Sequence, residues 1–389
     1  MTRLICGLLV GLAPALSSAA DFAVRRFSTD PAQARSGAVR VDHADLVYSG
    51  QLMPPGEGDL DKQLPELLKR TTNLLKLNGL TPADLVKLNL YIADSSDAAP
   101  VTAALSKWLD PDKPAAVSWV TTSLPTPGCR IGLDFVAAYD HPRAPAASVQ
   151  GGPAGVMIIP ATATTRAFVS GQAEKGDGSV ADATAQTMAS LFRTLTFLEL
   201  SPKNVVQVKV FIRPMNESRA SLAAIQKAFD PETCPPVVFV EWDSPSLPVE
   251  IELVAAASQP IDAERPVAEY LTPPGMKPSP VYAKVVRVQS PSTIFLSGLY
   301  GSQVDPDSEA ELRDLFAQTK QLAEEAGSDL KHLVKATYYV SSKGSSDQHN
   351  KLRPEYYDPA RPPAASKAIV KGVGRSGRTI TWDMIAVPK

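Results

Sequence analysis

The sequence predicts an α+β protein made of three tandem ββαβαββ domains that close on one another as an intramolecular pseudo-trimer. The first observation behind this is a set of landmarks that recurs three times: a Ser-Gly pair ending an apolar run, an LVK-like strand, and a strand opened by proline. They fall at Ser49/Gly50, Leu85 and Pro114, at Ser170/Gly171, Val205 and Pro235, and at Ser297/Gly298, Leu333 and Pro363. From serine to proline the spacing is 65, 65 and 66 residues, which marks an internal repeat. The second observation is length, since 389 residues accommodate three repeats of ordinary domain size. The third is pattern. Each repeat alternates strand and helix signals in an order that puts two helices on one face of a sheet and leaves the other face bare. Three such bare faces in one chain can bury one another around a common axis.

In the third repeat, Ile294-Phe295-Leu296 reads as a strand closed by Ser297-Gly298. After the turn at Asp305-Pro306, Leu312, Leu315, Phe316, Thr319, Leu322, Ala323 and Ala326 recur at three- and four-residue steps until Gly327, an amphipathic helix with a glycine stop. The β-branched and aromatic run 333–340 predicts a strand, residues 350–357 a shorter helix broken by Asp358-Pro359, and 365–370 and 379–386 two closing strands. The first repeat shows a helix over 60–78 ending at Gly79, a strand over 85–92, a helix through Leu105 and Trp108, and Asp110-Pro111. The second shows a helix over 181–198, a strand over 205–212, and a helix over 222–229 before Asp230-Pro231. The domains are placed at 21–142, 156–258 and 277–389. The polar, Pro- and Gly-rich stretches 141–155 and 258–280 read as exposed connectors.

The N-terminus has a different composition. Arg3 precedes an apolar core over 4–16 and the small-residue site Ser18-Ala19-Ala20, the pattern of a secretory signal occupying 1–20, so the protein is expected to be exported, periplasmic or secreted. The apolar core is short of the roughly 20 residues a membrane span requires. Net charge is -2, from 39 basic and 41 acidic residues, so the composition offers no basic stripe for nucleic acid. Beyond the signal only Cys129 and Cys234 remain, at non-equivalent repeat positions. That spacing gives no disulfide framework, and a bridge or two buried thiols are both open readings. Four scattered histidines without ligand spacing predict no metal, and no cofactor is expected.

Several motifs carry chemistry on their face. Gly372-Val373-Gly374-Arg375-Ser376-Gly377 matches a dinucleotide fingerprint, but a strand rather than a helix follows it, so it is read as a hairpin turn. Ser49, Ser170 and Ser297 lack a histidine at any repeated position to act as base, so the Ser-Gly pairs fit backbone satisfaction or ligand binding through amides better than nucleophilic attack. Glu250 and Glu252 lie two residues apart on one strand, and for either a structural hydrogen bond to a neighbouring repeat and catalysis are both open readings.

These residues resemble the RidA/YjgF family of small trimeric proteins, with its chorismate-mutase-like fold. The carriers are Ser49-Gly50-Gln51 and Ser170-Gly171-Gln172, the strands DLVKLNLYIAD, NVVQVKVFIRP and HLVKATYYVSS, the endings IGLDFVAAY, VEIELVAAA and ITWDMIAV, and the segment Ser279-Pro280-Val281-Tyr282. The best-known members hydrolyse reactive enamines and imines to ketoacids and ammonia, using an arginine two residues after the strand-opening proline to hold the substrate carboxylate. The matching positions here are read as Ala116, Val237 and Ala365, none of them arginine. The family's water-orienting glutamate matches Glu250 alone, with Gly132 and Thr381 in the other repeats, and its helix asparagine matches Asn350 alone. Arg361, just ahead of the third such strand, is either a substitute cation or a solvated loop residue. The resemblance therefore implies a protein that binds a small organic or carboxylated molecule between domains, with deamination lost. Glu250 is the candidate catalytic group, and Ser49, Gly50, Gln51, Ser170, Gly171, Gln172, Ser297, Gly298, Tyr282 and Asn350 are the candidate ligand contacts. The alternatives are an enamine/imine deaminase or related hydrolase acting through a diverged site, and a purely structural role.

Overall fold

The computed structural model describes residues 22–139, 154–229, 234–244, 246–302 and 305–389. The expected signal segment, the Asp230-Pro231 turn and most of the 141–155 connector lie outside the described residues. The first repeat contains β1 (Ala23–Asp30), β2 (Arg35–Asp42), β3 (Asp45–Ser49), α1 (Leu60–Leu77), β4 (Leu85–Ile92), α2 (Ala98–Trp108), β5 (Ala116–Thr121) and β6 (Ile131–Tyr139). The second contains β7 (Val156–Ile159), β8 (Thr165–Gln172), α3 (Val180–Phe197), β9 (Val205–Ile212), α4 (Ser218–Ala228), β10 (Val237–Glu241) and β11 (Val249–Ala257). The third contains β12 (Ala268–Leu271), β13 (Val285–Gln289), β14 (Ser292–Leu296), α5 (Glu309–Glu325), β15 (Leu333–Val340), α6 (Lys343–Tyr356), β16 (Ala364–Ile369) and β17 (Ile380–Ala386).

Local chemistry sets the element ends. Ser179 caps α3 by accepting the Asp182 N–H, and Ser308 caps α5 by accepting the Glu311 N–H. Gly327, with φ of 82°, follows the end of α5 in a conformation glycine adopts without steric cost. α6 starts seven residues before the expected Asn350, because Ser342 caps it by accepting the Ser345 N–H although Lys343 to Ser346 show no apolar period. The stretch read as the 258–280 connector contains β12, which pairs with β13, and the Tyr270 hydroxyl donates to the carbonyls of Lys331 and Leu333. Four residues flanked by prolines and charges gave no alternating signal long enough to register.

Each repeat builds a four-stranded unit, ordered β5-β4-β6-β3, β10-β9-β11-β8 and β16-β15-β17-β14. The couples β2/β3, β7/β8 and β13/β14 do not form the hairpin implied by a self-contained ββαβαββ domain. Instead β2 pairs with β14, β7 with β3 and β13 with β8, so every repeat hands one strand ahead of its first helix to a neighbour's sheet and the three exchanges close a ring. The links explain this. His43-Ala44 and Ser290-Pro291 lack the Asn-Gly or Gly-X chemistry of a two-residue hairpin, and the proline holds the chain extended. Each exchanged strand covers a sheet edge that would otherwise present unpaired backbone groups.

The helices of each repeat bury a private core against their own sheet, around Leu67, Leu88 and Phe135, around Leu191, Val208 and Leu253, and around Phe316, Tyr338 and Trp382. The opposite sheet faces meet in shared cores. One unites Val86, Val206 and Val334, and another unites Tyr91, Phe211 and Tyr339. Between these apolar layers the LVK-like strands place polar side chains, and a β-bulge is the reason. Leu85 and Lys87 pair with the consecutive residues Ala137 and Val136, as do Val205 and Gln207 with Ala255 and Val254, and Leu333 and Lys335 with Ala386 and Ile385. The extra residue turns two successive side chains to the same face. Lys87 therefore reaches Asp383 at 2.7 Å, and Lys335 reaches Glu252 at 2.7 Å. Lys209 lies 3.9 Å from Asp383, and Asp134 accepts hydrogen bonds from Tyr91 at 2.5 Å and Asn89 at 2.9 Å. Three lysines and three carboxylates, one of each from every repeat, thus share the buried centre. Burial alone would raise the Asp383 carboxyl, but Lys87, Lys209 and Lys335 outweigh it and hold it below its ordinary range.

Because the repeats occupy one another's edges and bare faces, the chain is expected to run as a monomer, and light scattering should return a mass near that of one chain. Lys335→Met removes the cation from Glu252, which is 2 % exposed. The expected loss in urea unfolding is about 3–5 kcal/mol, with partial recovery when Glu252→Leu is added.

Candidate functional site

The three Ser-Gly turns lie at the three junctions between repeats, and the junctions differ in what fills them. Between repeats one and two, the Gln51 N–H donates to the Val237 carbonyl, and the Gln51 amide bonds both ways with the Phe239 backbone at 3.1 Å. Ser49 Oγ accepts from Phe135 N–H, and Gly50 N–H donates to the Gly155 carbonyl. Between repeats three and one, Ser297 Oγ accepts from Val117 N–H at 2.7 Å and donates to the Ser36 carbonyl at 2.6 Å. Gly298 N–H donates to the Val117 carbonyl at 2.9 Å. At these two junctions the candidate contacts Ser49, Gly50, Gln51, Ser297 and Gly298 spend their polar atoms joining backbone to backbone.

At the junction of repeats two and three the Ser-Gly turn borders open space. A cavity of about 210 Å³ is lined by Gly171, Glu250, Tyr282, Tyr338, Arg353, Ala365, Ser366 and Lys367. Gly171 N–H donates to Ser366 Oγ at 3.0 Å, and the same serine hydrogen-bonds the Glu250 carboxyl. A Cβ on Gly171 would stand 2.0 Å from Glu250 Oε1, so glycine is what lets the carboxyl lie against the chain. Ser170 Oγ donates to the Lys284 carbonyl, and the Lys284 ammonium reaches the Tyr282 hydroxyl at 2.5 Å. Two of the expected contacts are placed elsewhere. Gln172 donates to Thr194 Oγ1 on its own helix, and Asn350 stands behind the cavity, where its Oδ1 accepts from Lys367 Nζ and Arg353 Nη2, each at 2.9 Å. Arg361 lies over the Tyr270 ring, 5.7 Å from its centroid, and does not line the cavity.

The strand register also corrects one equivalence. Leu88, Val208 and Ala336 are the fourth residues of β4, β9 and β15, and they pair with Val117, Val237 and Ala365. Val117, not Ala116, is therefore the first repeat's equivalent of Val237 and Ala365, because Pro114 stands one register position ahead of Pro235 and Pro363. No arginine stands at any of the three.

Burial pushes the Glu250 carboxyl up to about 7, with Glu252 adding to the shift and Ser366 and Lys284 opposing it. Burial pulls the Lys367 ammonium down to about 8, helped by Arg353 and opposed by Asp347. Arg353 stands over the Tyr338 ring at 5.8 Å. The cavity thus gathers a carboxyl that changes charge near neutrality, a guanidinium, an amine and two phenols.

The family description Endoribonuclease L-PSP matches residues 28–139 and 160–257, together more than half of the chain. The protein belongs to the endoribonuclease L-PSP family. Among solved structures, a YjgF-family protein from Neisseria meningitidis is 21% identical over 30% of this chain and 96% of its own, with a TM-score of 0.24. The Rid protein YyfB from Yersinia pestis is 28% identical over 28% of this chain and 89% of its own, at TM-score 0.24. RidA from an Antarctic Psychrobacter is 19% identical over 24% and 79%, at 0.23. No curated protein matches the chain.

Within this L-PSP-family chain the sequence left Arg353, Ser366 and Lys367 unmarked. Lys367 is two residues beyond Ala365 on β16, hence on the same strand face. That period-two relation was the available signal. Arg353 had none, because only the packing of α6 on β15 brings it to the junction. The Gly372–Gly377 run joins β16 to β17 and docks on β5 through the Gly372 carbonyl, which accepts from Thr121 N–H. Cys129 and Cys234 are buried free thiols. Among the described residues no group of side chains has metal-ligand geometry, and no helix is long and apolar enough to cross a membrane.

The Glu250 shift has a definite sign in stability. Below about pH 4.5 both folded and unfolded chains hold the proton. As pH rises to 7 the unfolded chain ionises first, so stability falls by at most about 3 kcal/mol. Glu250→Gln should remove that slope, so that its melting temperature matches the natural protein at pH 4 and exceeds it at pH 8.

Proposed function

We propose that this L-PSP-family protein is exported and binds a small carboxylated organic molecule in the cavity between its second and third repeats, without the enamine and imine deamination of the best-known RidA members. The observation that carries the reading is the asymmetry of the junctions. At two of them the Ser-Gly turns are occupied by backbone contacts, whereas at the third Gly171 lines a cavity together with Glu250, Arg353, Lys367 and Tyr282. Arg353 supplies a planar cation suited to a carboxylate, with its Nε left without a partner. Loss of deamination rests on Val117, Val237 and Ala365, which remove the clamp the family places on this strand. Export rests on Arg3, the apolar core over 4–16 and Ser18-Ala19-Ala20.

A second reading, hydrolysis through a diverged site, is favoured by one feature. Glu250 titrates to about 7, where a carboxyl can take a proton from water and return it.

A thermal-shift screen of 2-oxo acids, amino acids and aromatic acids tests the binding reading. A ligand at 100 times its Kd stabilises by about 2.7 kcal/mol, and Arg353→Leu should abolish the shift. Loss of the shift in Arg375→Ala instead, a residue at the edge of another junction, would reject this cavity. The enamine released by a serine or threonine dehydratase should decay no faster with the protein than in buffer. Acceleration that disappears in Glu250→Gln would put the second reading first.

A further inference from the structure

Lys367 is an amine of the cavity lining held by neutral partners. Its Nζ bonds to Ser346 Oγ at 2.9 Å and to Asn350 Oδ1 at 2.9 Å, both neutral oxygens, and among the described residues no carboxylate stands within ion-pair distance of it. The nearest charge of note is another cation, since Arg353 Nη2 shares the Asn350 oxygen. Asp347, the one carboxylate acting on it, is itself paired to Lys343 at 2.5 Å. A neutral amine carries two N–H groups and one lone pair. Two acceptors therefore satisfy it and leave the lone pair free, whereas an ammonium would keep one N–H without a protein partner. The amine also lines the same cavity as the Glu250 carboxyl and the Arg353 guanidinium.

From this geometry we propose that Lys367 captures small 2-oxo acids covalently, as a Schiff base, with Arg353 holding the ligand carboxylate and Glu250 carrying the protons. The proposal rests on the reading of this cavity as the ligand site. In the addition, the Lys367 lone pair forms a C–N bond to the carbonyl carbon while the C=O π pair moves to oxygen. That oxygen takes a proton from the Glu250 carboxyl, and the nitrogen returns one to the resulting carboxylate. In the dehydration, Glu250 protonates the carbinol oxygen, the C–O bond breaks, water leaves, the nitrogen lone pair closes C=N as an iminium, and the iminium N–H returns its proton to the Glu250 carboxylate. One carbonyl and one amine become one imine and one water, with no oxidant or reductant. The lowered ammonium supports the step, because at pH 7 about a tenth of Lys367 is free amine, against about 0.03 % of an ordinary lysine. The site fits small ligands, since 210 Å³ leaves room for few atoms beyond the carboxyl and carbonyl.

The test uses the full mature chain with pyruvate and sodium cyanoborohydride at pH 7, followed by intact mass and peptide mapping. The expected result is one reductively attached carboxyethyl group per chain, on Lys367, at least about tenfold above any other lysine. Lys367→Arg, which keeps the charge, should lose it. Arg353→Leu should lower labelling by pyruvate but not by acetaldehyde, which has no carboxylate to hold. Mapping the label in the natural protein decides the matter even if a variant folds poorly. Labelling spread over surface lysines, at the same level in Lys367→Arg, would overturn the proposal. Calorimetry with pyruvate in the absence of reductant separates the two failures. Binding without trapping rejects the Schiff base and leaves the ligand site standing, whereas absence of both rejects the two together.

Discussion

Every sheet in this protein has one face covered by its own helices and one face that its own repeat cannot cover, and the arrangement of the chain follows from that deficit. The bare faces meet in two shared apolar layers, around Val86, Val206 and Val334 and around Tyr91, Phe211 and Tyr339. Between them lies a layer of three lysines and three carboxylates, one of each from every repeat. Such a layer is a poor source of net stability, because desolvation offsets much of the attraction. It does punish misassembly. Lys87 meets the carboxylate of repeat three and Lys335 that of repeat two, so replacing either neighbour leaves a buried charge alone. The strand exchange works in the same direction, since β2, β7 and β13 each pair with a strand of another repeat.

Covalent linkage frees the repeats from being identical, and the junctions show the result. A trimer of one chain would carry three equal clefts. Here Gln51 occupies one Ser-Gly turn by bonding to the Phe239 backbone, and Ser297 occupies another by clamping Val117. Glu250 is the only one of the three equivalent positions to carry a carboxyl, and it sits opposite the only repeat whose second helix and edge strand bring Arg353 and Lys367. The same burial that makes Glu250 costly above pH 7 makes its proton exchangeable near neutrality.

Much of the fold was legible from periodicity. The strands 85–92, 205–212 and 333–340 were bounded correctly because β-branched runs between glycine and proline signals leave little freedom. The long helices were legible for the same reason, α1 showing buried Leu60, Leu64, Leu67 and Leu75 at helical steps. α6 was cut short because Lys343 to Ser346 carry no apolar period, and β12 was missed because four residues between prolines give none either. Glu250, Gly171 and Tyr282 are legible as separate candidates from the motifs of their own repeats, and the structure brings them to one cavity. Gln172 was misassigned because its position in the motif says nothing of the face it takes, and it faces Thr194 in its own core.

By itself the sequence determined that this chain repeats one α+β unit three times, that no repeat keeps the family arginine, and that one glutamate and one helix asparagine survive in different repeats. Those are properties of residue order and spacing, and they hold whatever the chain packs against. Only the tertiary structure decided which strand each repeat lends to its neighbour, and which Ser-Gly turn borders a cavity. It alone aimed the third residue of each LVK-like strand at the centre through a bulge, and it alone set Arg353 and Lys367 beside Glu250. Those outcomes depend on contacts between residues more than 80 positions apart in the chain, as Lys335 and Glu252 are. No local pattern encodes such a contact, because it is selected by what must be buried at once.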